Sequence, residues 1–251
     1  MKLTLIQGDA LKVLPTLPSE SVDLIVTDPP YFNKGMKPAY KRKGHKDVIT
    51  YFGEWDVFNS DKDYLEFINN FIDEAKRVMK PNSSVYIFTN DRFISYIRHI
   101  IKSKELKYAS TIVWHKYNSP PRFIEVAGFI SSKEIIAFAY KGKPTFNKPI
   151  DFKELLDVWI TPQTPSNERT GHPTQKPLSL IKKIINISSN EGDTILDPFL
   201  GSGTTMVAAL ELKRNCIGIE INKEYIEMVK KRLNWGLYLQ KDIEWEFRVM
   251  E

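Results

Sequence analysis

The sequence contains one stiff corner rich in hydrogen-bond acceptors, Thr27-Asp28-Pro29-Pro30-Tyr31. The two prolines fix φ and remove two N–H donors, so the corner offers the Asp28 carboxylate and bare backbone carbonyls. Tyr31 adds an aromatic face beside these acceptors. Acceptors next to an aromatic ring suit a planar ligand with an exocyclic NH₂ group. A plain strand-ending turn is the alternative, because Asp-Pro-Pro makes such turns well.

A second motif, Asp197 to Thr205, is rich in glycine and is predicted to open a helix. Gly201 and Gly203 let the backbone approach a ligand closely, and a helix N-terminus offers free N–H groups. A P-loop needs a lysine after the second glycine, and a dinucleotide fingerprint needs a third glycine where this chain has Met206. The chain has neither, which favours a ligand without a pyrophosphate. A tight turn that binds nothing is the alternative.

Two further motifs point to the same crevice. Glu220 ends the next predicted strand, where an acid can accept hydrogen bonds from ribose hydroxyls. Together with the glycine-rich turn, Glu220 favours a nucleoside ligand; alone it is equally typical of a solvated acid. The segment 170–177 (TGHPTQKP) precedes a predicted helix, with Pro177 suited to its first turn. That segment is either part of the site or simply a capped helix start.

Alternating strands and helices are predicted to position these motifs. Short apolar runs rich in β-branched residues predict buried strands at 22–27, 84–89, 110–114, 134–140, 194–197 and 216–220. Apolar residues at helical spacing predict helices at 61–79, 91–102, 177–188, 203–213 and 223–233, the first of them capped by Asp61. The alternation predicts an α/β fold with a doubly wound, mostly parallel sheet. Residues 32–60 and 142–176 lack a sustained period, and we expect them to be long functional loops.

Composition limits the class of protein. The chain has 251 residues, of which 42% are hydrophobic and 27% charged, as in an ordinary globular protein. This excludes collagen-like, mucin-like and wholly disordered chains. The single Cys216 excludes an internal disulfide and a cysteine-based zinc site, and four scattered histidines give a metal site no support. With no secretory or membrane segment in the pattern, we expect a cytoplasmic protein.

The charge is concentrated in one place. The chain carries 36 basic and 31 acidic residues, for a net charge of +5. Residues 34–46 contain six lysines and arginines and no acid, so this run accounts for the whole excess. Such a run, just past Tyr31 in sequence, favours phosphate binding, although a solvated face is the commoner explanation for charge runs.

Together, these motifs resemble those of the amino-methyltransferases of DNA, specifically the β class of N6-adenine methyltransferases. In that class an Asp-Pro-Pro-Tyr motif lies near the N-terminus and a Phe-x-Gly-x-Gly motif near the C-terminus, as in residues 28–31 and 199–203 here. Residues 8–10, 172–177 and 218–220 are similar to the family as well. The resemblance spans nearly the whole chain, and the motifs are specific jointly rather than singly.

The resemblance implies a fold and a cofactor. The fold is the three-layer α/β fold of S-adenosylmethionine-dependent methyltransferases, with a circularly permuted motif order, in a single domain over residues 1–251. The cofactor is S-adenosylmethionine, with Glu220 on the ribose hydroxyls, Asp9 near the adenine, and His172 and Thr174 on the methionine side. The full set of expected cofactor residues is Asp9, Ala10, Asp28, His172, Thr174, Asp197, Phe199, Gly201, Ser202, Gly203, Thr204, Thr205 and Glu220.

The resemblance also implies a reaction and partners. Asp28, Pro29, Pro30 and Tyr31 would direct methyl transfer to N6 of an adenine flipped out of double-stranded DNA. Segments 32–60 and 115–176 would carry DNA recognition. The expected DNA contacts are Lys41, Arg42, Lys43, Asn118, Arg122 and Arg169. Relatives are often dimers, so we expect a homodimer, and we expect a cognate restriction endonuclease as a further partner.

Four alternatives remain on sequence grounds. An N4-cytosine DNA methyltransferase shares the chemistry but more often has Ser in place of Asp28. RNA and protein-glutamine methyltransferases usually have Asn there and the opposite motif order. A non-catalytic nucleic-acid-binding module would not need both motifs intact. A nicotinamide-dependent oxidoreductase is disfavoured by Met206 and by the position of the glycine-rich turn near the C-terminus.

Overall fold

Nine strands build one sheet at the centre of the molecule. The structure is a computed structural model that describes residues 1–32, 58–118, 129, 131–149, 151–234 and 242–250. Within these residues the strands are β1 (Lys2–Gln7), β2 (Val22–Thr27), β3 (Met79–Thr89), β4 (Lys107–Lys116), β5 (Lys133–Tyr140), β6 (Val158–Thr161), β7 (Thr194–Asp197), β8 (Asn215–Glu220) and β9 (Glu244–Val249). Their order across the sheet is β6-β4-β5-β3-β2-β7-β8-β1-β9.

Six α-helices of the described residues connect these strands. They are α1 (Ala10–Val13), α2 (Asp61–Val78), α3 (Ile94–Ser103), α4 (Leu178–Ser188), α5 (Thr204–Glu211) and α6 (Lys223–Arg232). Short 3₁₀ turns lie at Leu14–Thr16, Phe152–Leu155 and Ser166–Glu168. Among the helices of the described part of the chain, none is long and apolar enough to cross a membrane.

The strand directions place the carboxyl ends of most strands along the same edge of the sheet. β1, β2, β3, β7, β8 and β9 are parallel neighbours, and β4 pairs in parallel with β6. β5 runs antiparallel to both β3 and β4. The first residues of β5 therefore lie at the same edge as the carboxyl ends of the other strands, which is where ligands bind in open α/β sheets.

Apolar side chains cover the sheet on both faces. On one face α4, α5 and α6 pack against residues such as Leu24 and Val26 of β2. On the other face α1, α2 and α3 pack against their neighbour Ile25. Because alternate residues of a strand point to opposite faces, β2 is buried on both sides. The three-layer, mostly parallel α/β prediction is confirmed.

The elements differ from the sequence predictions in three ways. β1, β6 and β9 were not predicted, and β6 lies inside 142–176, which was expected to be loop. The predicted loop-borne segment 115–176 likewise holds the end of β4 and all of β5. Asp61 does not cap the first long helix: the Ser60 hydroxyl accepts from the N–H of Asp63, and Asp61 is already helical. Residues 33–57 of the other predicted loop lie outside the described residues.

Candidate active site

A cavity of about 310 Å³ opens at the carboxyl ends of β1, β2, β7 and β8. It brings the separate sequence motifs together. The predicted residues that line it are Asp9, Ala10, Asp28, Pro29, Pro30, Tyr31, His172, Thr174, Asp197, Phe199, Gly201, Ser202, Thr204, Thr205 and Glu220. Gly203 is the exception among the predicted cofactor residues, since it does not line the cavity.

Gly203 instead lets the turn pack tightly. It stands at the N-cap of α5 with φ of +79°, a left-handed conformation that favours glycine. A Cβ at this position would lie 2.9 Å from Val229 Cγ2 of α6. Gly203 therefore allows the close approach of α5 and α6, and its contact with the cofactor stays a prediction.

Asp197 holds the glycine-rich turn from within. Its carboxylate accepts from the Phe199 N–H at 3.2 Å and from the Thr205 hydroxyl at 2.6 Å. The side chain is buried, and burial raises the pKa of Asp197 to about 7. This carboxyl therefore shapes the loop and the start of α5 that border the cavity.

Glu220 joins that turn to the end of β8. Its two carboxylate oxygens accept from the N–H groups of Gly201 and Asn222, each at 2.8 Å. Burial raises the pKa of Glu220 above its ordinary value, while these backbone donors favour the charged form. Each oxygen has a second lone pair, so the carboxylate can also accept from a ligand in the cavity.

His172 closes another side of the cavity. Its ring packs edge-on against Tyr225, with centroids 4.4 Å apart. A Cβ on Gly201 would lie 3.0 Å from His172 Nε2, so the glycine permits this contact. Burial, followed by the nearby Lys176 charge, lowers the pKa of His172 to about 4. The imidazole is thus neutral at neutral pH, and its Nδ1 lies 3.3 Å from the Thr174 N–H.

The acceptor corner is part of a group of buried charges. The Tyr31 hydroxyl donates to Asp28 Oδ1, and Lys176 Nζ donates to Asp28 Oδ2. Lys176 Nζ also lies 3.2 Å from Oε2 of Glu134, whose Oε1 is 3.0 Å from Lys116 Nζ. We call Asp28, Tyr31, Lys116, Glu134 and Lys176 the Asp28 cluster. Burial raises the pKa of Asp28, an effect that the Lys176 charge opposes and the Glu134 charge reinforces.

The predicted DNA contacts lie away from this cavity or outside the described residues. Lys41, Arg42, Lys43 and Arg122 lie outside the described residues. Asn118 Oδ1 accepts from the Gln163 N–H at 2.7 Å, and Arg169 Nε donates to the Thr164 carbonyl at 3.1 Å. Asn118 and Arg169 are not among the residues that line the cavity.

Sequence reasoning missed three residues of the Asp28 cluster, namely Lys116, Glu134 and Lys176. Lys176 stood in the quoted segment 170–177 but was given no role, and Glu134 was only the first residue of a predicted strand. The antiparallel direction of β5 places Glu134 at the site, and no local pattern reveals that direction. The sequence did contain one indication of this role: the buried strand predicted at 134–140 begins with an acid. Charged residues are seldom fully buried unless they are paired.

Comparisons with known proteins agree with this geometry. The family model described as "DNA methylase", which covers N6- and N4-type enzymes, matches residues 22–231. The Type II methyltransferase M2.DpnII of Streptococcus pneumoniae is 37% identical over 92% of this chain and 90% of its own length. The Type II methyltransferase M.HinfI of Haemophilus influenzae is 34% identical over 92% of this chain and 68% of its own length.

Solved structures have the same fold. The crystal structure of the M1.HpyAVI complex with S-adenosylmethionine (SAM) is 34% identical, with a TM-score of 0.71 over 93% of this chain and all of that one. The cytosine-N4-specific PvuII DNA methyltransferase has a TM-score of 0.72 over 97% of this chain and 90% of its own, at 19% identity, so it supports the fold alone. The chain belongs to the family of S-adenosylmethionine-dependent DNA methylases.

Proposed function

We propose that the protein is a site-specific DNA methyltransferase that transfers a methyl group from SAM to N6 of an adenine flipped out of double-stranded DNA. One observation carries this proposal. The Asp28–Tyr31 corner and Glu220 line the same cavity, which supports a site where the proposed amine acceptor and the proposed ribose acceptor border one ligand space.

The residues of the cavity fit the cofactor. Glu220 is placed to accept from the ribose hydroxyls with its remaining lone pairs, and Asp9 borders the adenine end. The His172 imidazole is neutral, and the Lys176 charge is matched by carboxylates, so neither opposes a sulfonium. Phe199, the backbone of 201–205 and Thr174 complete the binding surface. When bound, SAM supplies the electrophilic methyl group.

The Asp28 corner activates the target amine. The lone pair of an aromatic amine is delocalised into the ring, which makes the nitrogen a poor nucleophile. Asp28 and the Pro29 carbonyl each accept one N–H hydrogen, which favours a pyramidal nitrogen and frees its lone pair. Pro30 keeps the corner rigid, and the Tyr31 ring gives the flipped base a face to stack on, worth about 1–3 kcal/mol. Positioning then supplies much of the acceleration.

The choice of adenine rests on Asp28. By resemblance, Asp at this position is typical of N6-adenine enzymes and Ser of N4-cytosine enzymes. The shared fold of a cytosine-N4-specific enzyme means that architecture does not discriminate between the two bases. N4-cytosine methylation is therefore the second candidate activity, and RNA or protein-glutamine methylation is disfavoured by the motif order.

We assign DNA recognition to two segments of the chain. Residues 32–60, including Lys41, Arg42 and Lys43, grip phosphates, and 115–176 reads the sequence with Asn118, Arg122 and Arg169. The relatives named Type II methyltransferases come from bacteria, which supports a restriction–modification role in the cytoplasm. A homodimer, a cognate restriction endonuclease, a single domain and the permuted motif order are expected from the family resemblance.

Methylome sequencing tests the proposal. The purified protein and SAM are incubated with unmethylated DNA of high sequence complexity, and every modified base is mapped. We expect N6-methyladenine at one short recurring sequence. N4-methylcytosine instead would refute the adenine assignment, and unmodified DNA with SAM bound to the protein would refute the function.

A further inference from the structure

Lys176 contacts the proposed amine acceptor and Glu134 contacts Lys176, although neither belongs to the Asp-Pro-Pro-Tyr motif. Lys176 reaches Asp28 from the segment that precedes α4, and Glu134 reaches Lys176 from the start of β5. Lys176 is the one lysine or arginine among the described residues that line the cavity. The side chains of Lys176, Glu134 and Lys116 keep only 8%, 20% and 16% of their accessible surface.

The charges of this cluster cancel. Two ammonium groups face two carboxylates, so the four ionic side chains sum to zero. Burying ion pairs costs several kcal/mol per ion in desolvation, and such pairs are often no more stabilising than apolar side chains of similar volume. Stability alone is therefore a weak explanation for four charged groups beside a cavity. The contact of Lys176 with Asp28 connects the group to the proposed reaction.

The contacts fix the Asp28 carboxylate at both oxygens. Tyr31 occupies one lone pair of Oδ1, and Lys176 occupies one of Oδ2. The Asp28 side chain still keeps 24% of its accessible surface, and it lines the cavity. The second lone pairs are thus available on the cavity side, in a carboxylate that two donors hold against rotation.

We propose that Lys176, supported by Glu134 and Lys116, is a positioning residue that holds Asp28 ionised and oriented to accept a hydrogen bond from the amine of the target base. The inference rests on the proposed function, since it assumes that Asp28 is the amine acceptor. Lys176 acts through Asp28. Its ammonium group also lies 5.5 Å from the Tyr31 ring centre and 5.1 Å from that of Phe88.

The surroundings of Asp28 give the two charged neighbours opposite effects. Burial raises the pKa of Asp28, the Lys176 charge lowers it, and the Glu134 charge raises it again. Asp197 faces it from β7, and Tyr31 donates to it from the same loop. Without the Lys176 charge, the Tyr31 hydrogen bond is left to oppose burial and the Glu134 charge, so the pKa of Asp28 rises and the carboxyl takes up a proton at higher pH than in the wild type. Without the Glu134 charge, Asp28 ionises at lower pH.

The experiment compares Lys176→Met with Glu134→Gln. Single-turnover methylation of DNA at saturating SAM is measured from about pH 5.5 to 9.5, which reports the ionisation of groups in the bound complex. We expect the acid limb of the Lys176→Met profile to move up by about 1–3 pH units, with the rate recovering at higher pH. For Glu134→Gln we expect the limb to move down. SAM affinity stays within about threefold in both, since neither side chain is placed on the cofactor.

Two further variants control for charge and for general damage. Lys176→Arg keeps the charge and should keep the wild-type acid limb. Lys104→Met removes a surface ion pair with Asp73 on the α2–α3 side, and should change neither rate nor profile. If Lys176→Met does not fold, the downward shift in Glu134→Gln remains a complete test.

The outcomes separate this inference from the proposed function. A wild-type protein that methylates no DNA overturns the function. If the wild-type protein methylates DNA but both variants keep the wild-type acid limb and lose rate equally at every pH, only the role of Lys176 is overturned. The cluster is then structural. An upward or absent shift in Glu134→Gln likewise overturns it. Opposite shifts support it.

Discussion

Replacing Glu220 by Gln should weaken SAM binding far more than it weakens the fold. Glutamine keeps the volume of the side chain but offers one acceptor oxygen and an NH₂ group in place of two charged oxygens. In the structure both oxygens accept a backbone N–H at 2.8 Å, one from Gly201 and one from Asn222. The variant therefore loses one internal hydrogen bond, at a cost of about 1–3 kcal/mol in folding free energy.

The loss in affinity follows from the proposed ribose contacts. Two ribose hydroxyls donating to a charged acceptor contribute about 1.5–3 kcal/mol each. Because the glutamine oxygen can serve only one of them and carries no charge, we expect a loss of about 3 kcal/mol in binding, or about 100-fold in Kd. Buried at the end of β8, Glu220 has little water to compensate for the lost acceptor.

Isothermal titration calorimetry with SAM measures this change, and thermal unfolding without ligand measures the fold. Glu224→Gln is the matched control, since Glu224 is exposed in the first turn of α6 and does not line the cavity. A 2′-deoxy analogue of S-adenosylhomocysteine completes a double-mutant cycle: removal of the 2′-hydroxyl should cost less affinity in Glu220→Gln than in the wild type. A folded Glu220→Gln variant that binds SAM within about threefold of wild type would refute the ribose assignment.

Three other predictions test separate parts of the site. Asp28→Ala should keep SAM affinity within about threefold yet lose methylation by about 100-fold or more, since it removes an acceptor used in the transition state; retained methyl incorporation contradicts this. Gly203→Ala should lower the free energy of unfolding in urea by about 1–3 kcal/mol. Gly192→Ala is the control and should lower it less, because Gly192 also has a positive φ but a Cβ there would meet no atom within 4 Å. Equal losses in the two variants contradict the packing role of Gly203. Because burial raises the pKa of Asp197 to about 7, its contribution to stability is complete below about pH 4 and lost as the pH rises through 7. Between pH 5 and 8 the free energy of unfolding of Asp197→Asn should therefore rise by about 3 kcal/mol relative to that of the wild type. If urea unfolding gives the same difference between the two proteins at every pH, the raised pKa is contradicted.

Most of the strands that are buried on both faces were predictable from the sequence; β1 is an exception, since it packs on both faces but was not predicted. Strands such as β2 and β8 were predicted because a strand covered by helices on both faces needs a short continuous apolar run. β9 was missed because its sequence, EWEFRV, alternates charged and apolar residues at the sheet edge and pairs only with β1. β6 has four residues and depends on its pairing with β4. Edge strands like these are specified by a distant partner, which a local pattern does not contain.

The site residues also fall into a group that the sequence predicts and a group that depends on distant partners. The motif residues were predictable because each motif follows one strand and carries its chemistry within a few positions. Glu134 was not, because its place depends on the direction of β5 between β3 and β4. The role of Lys176 was hidden for a related reason: its partner Asp28 lies at the other end of the chain, and only the sheet order brings the two together.

The charge distribution separates the two substrates by sign. In the cavity the Asp28 cluster is neutral overall and His172 is uncharged. The acids Asp9, Glu220 and Asp197, the last with a pKa that burial raises to about 7, remain to favour a cationic sulfonium nucleoside. The same acids oppose a pyrophosphate, which explains why a glycine-rich turn stands here without the lysine of a P-loop. The chain's basic excess instead lies in residues 34–46, directly past Tyr31 in sequence. Under the proposed function, a cavity that repels phosphate would admit a flipped base while keeping the DNA backbone outside.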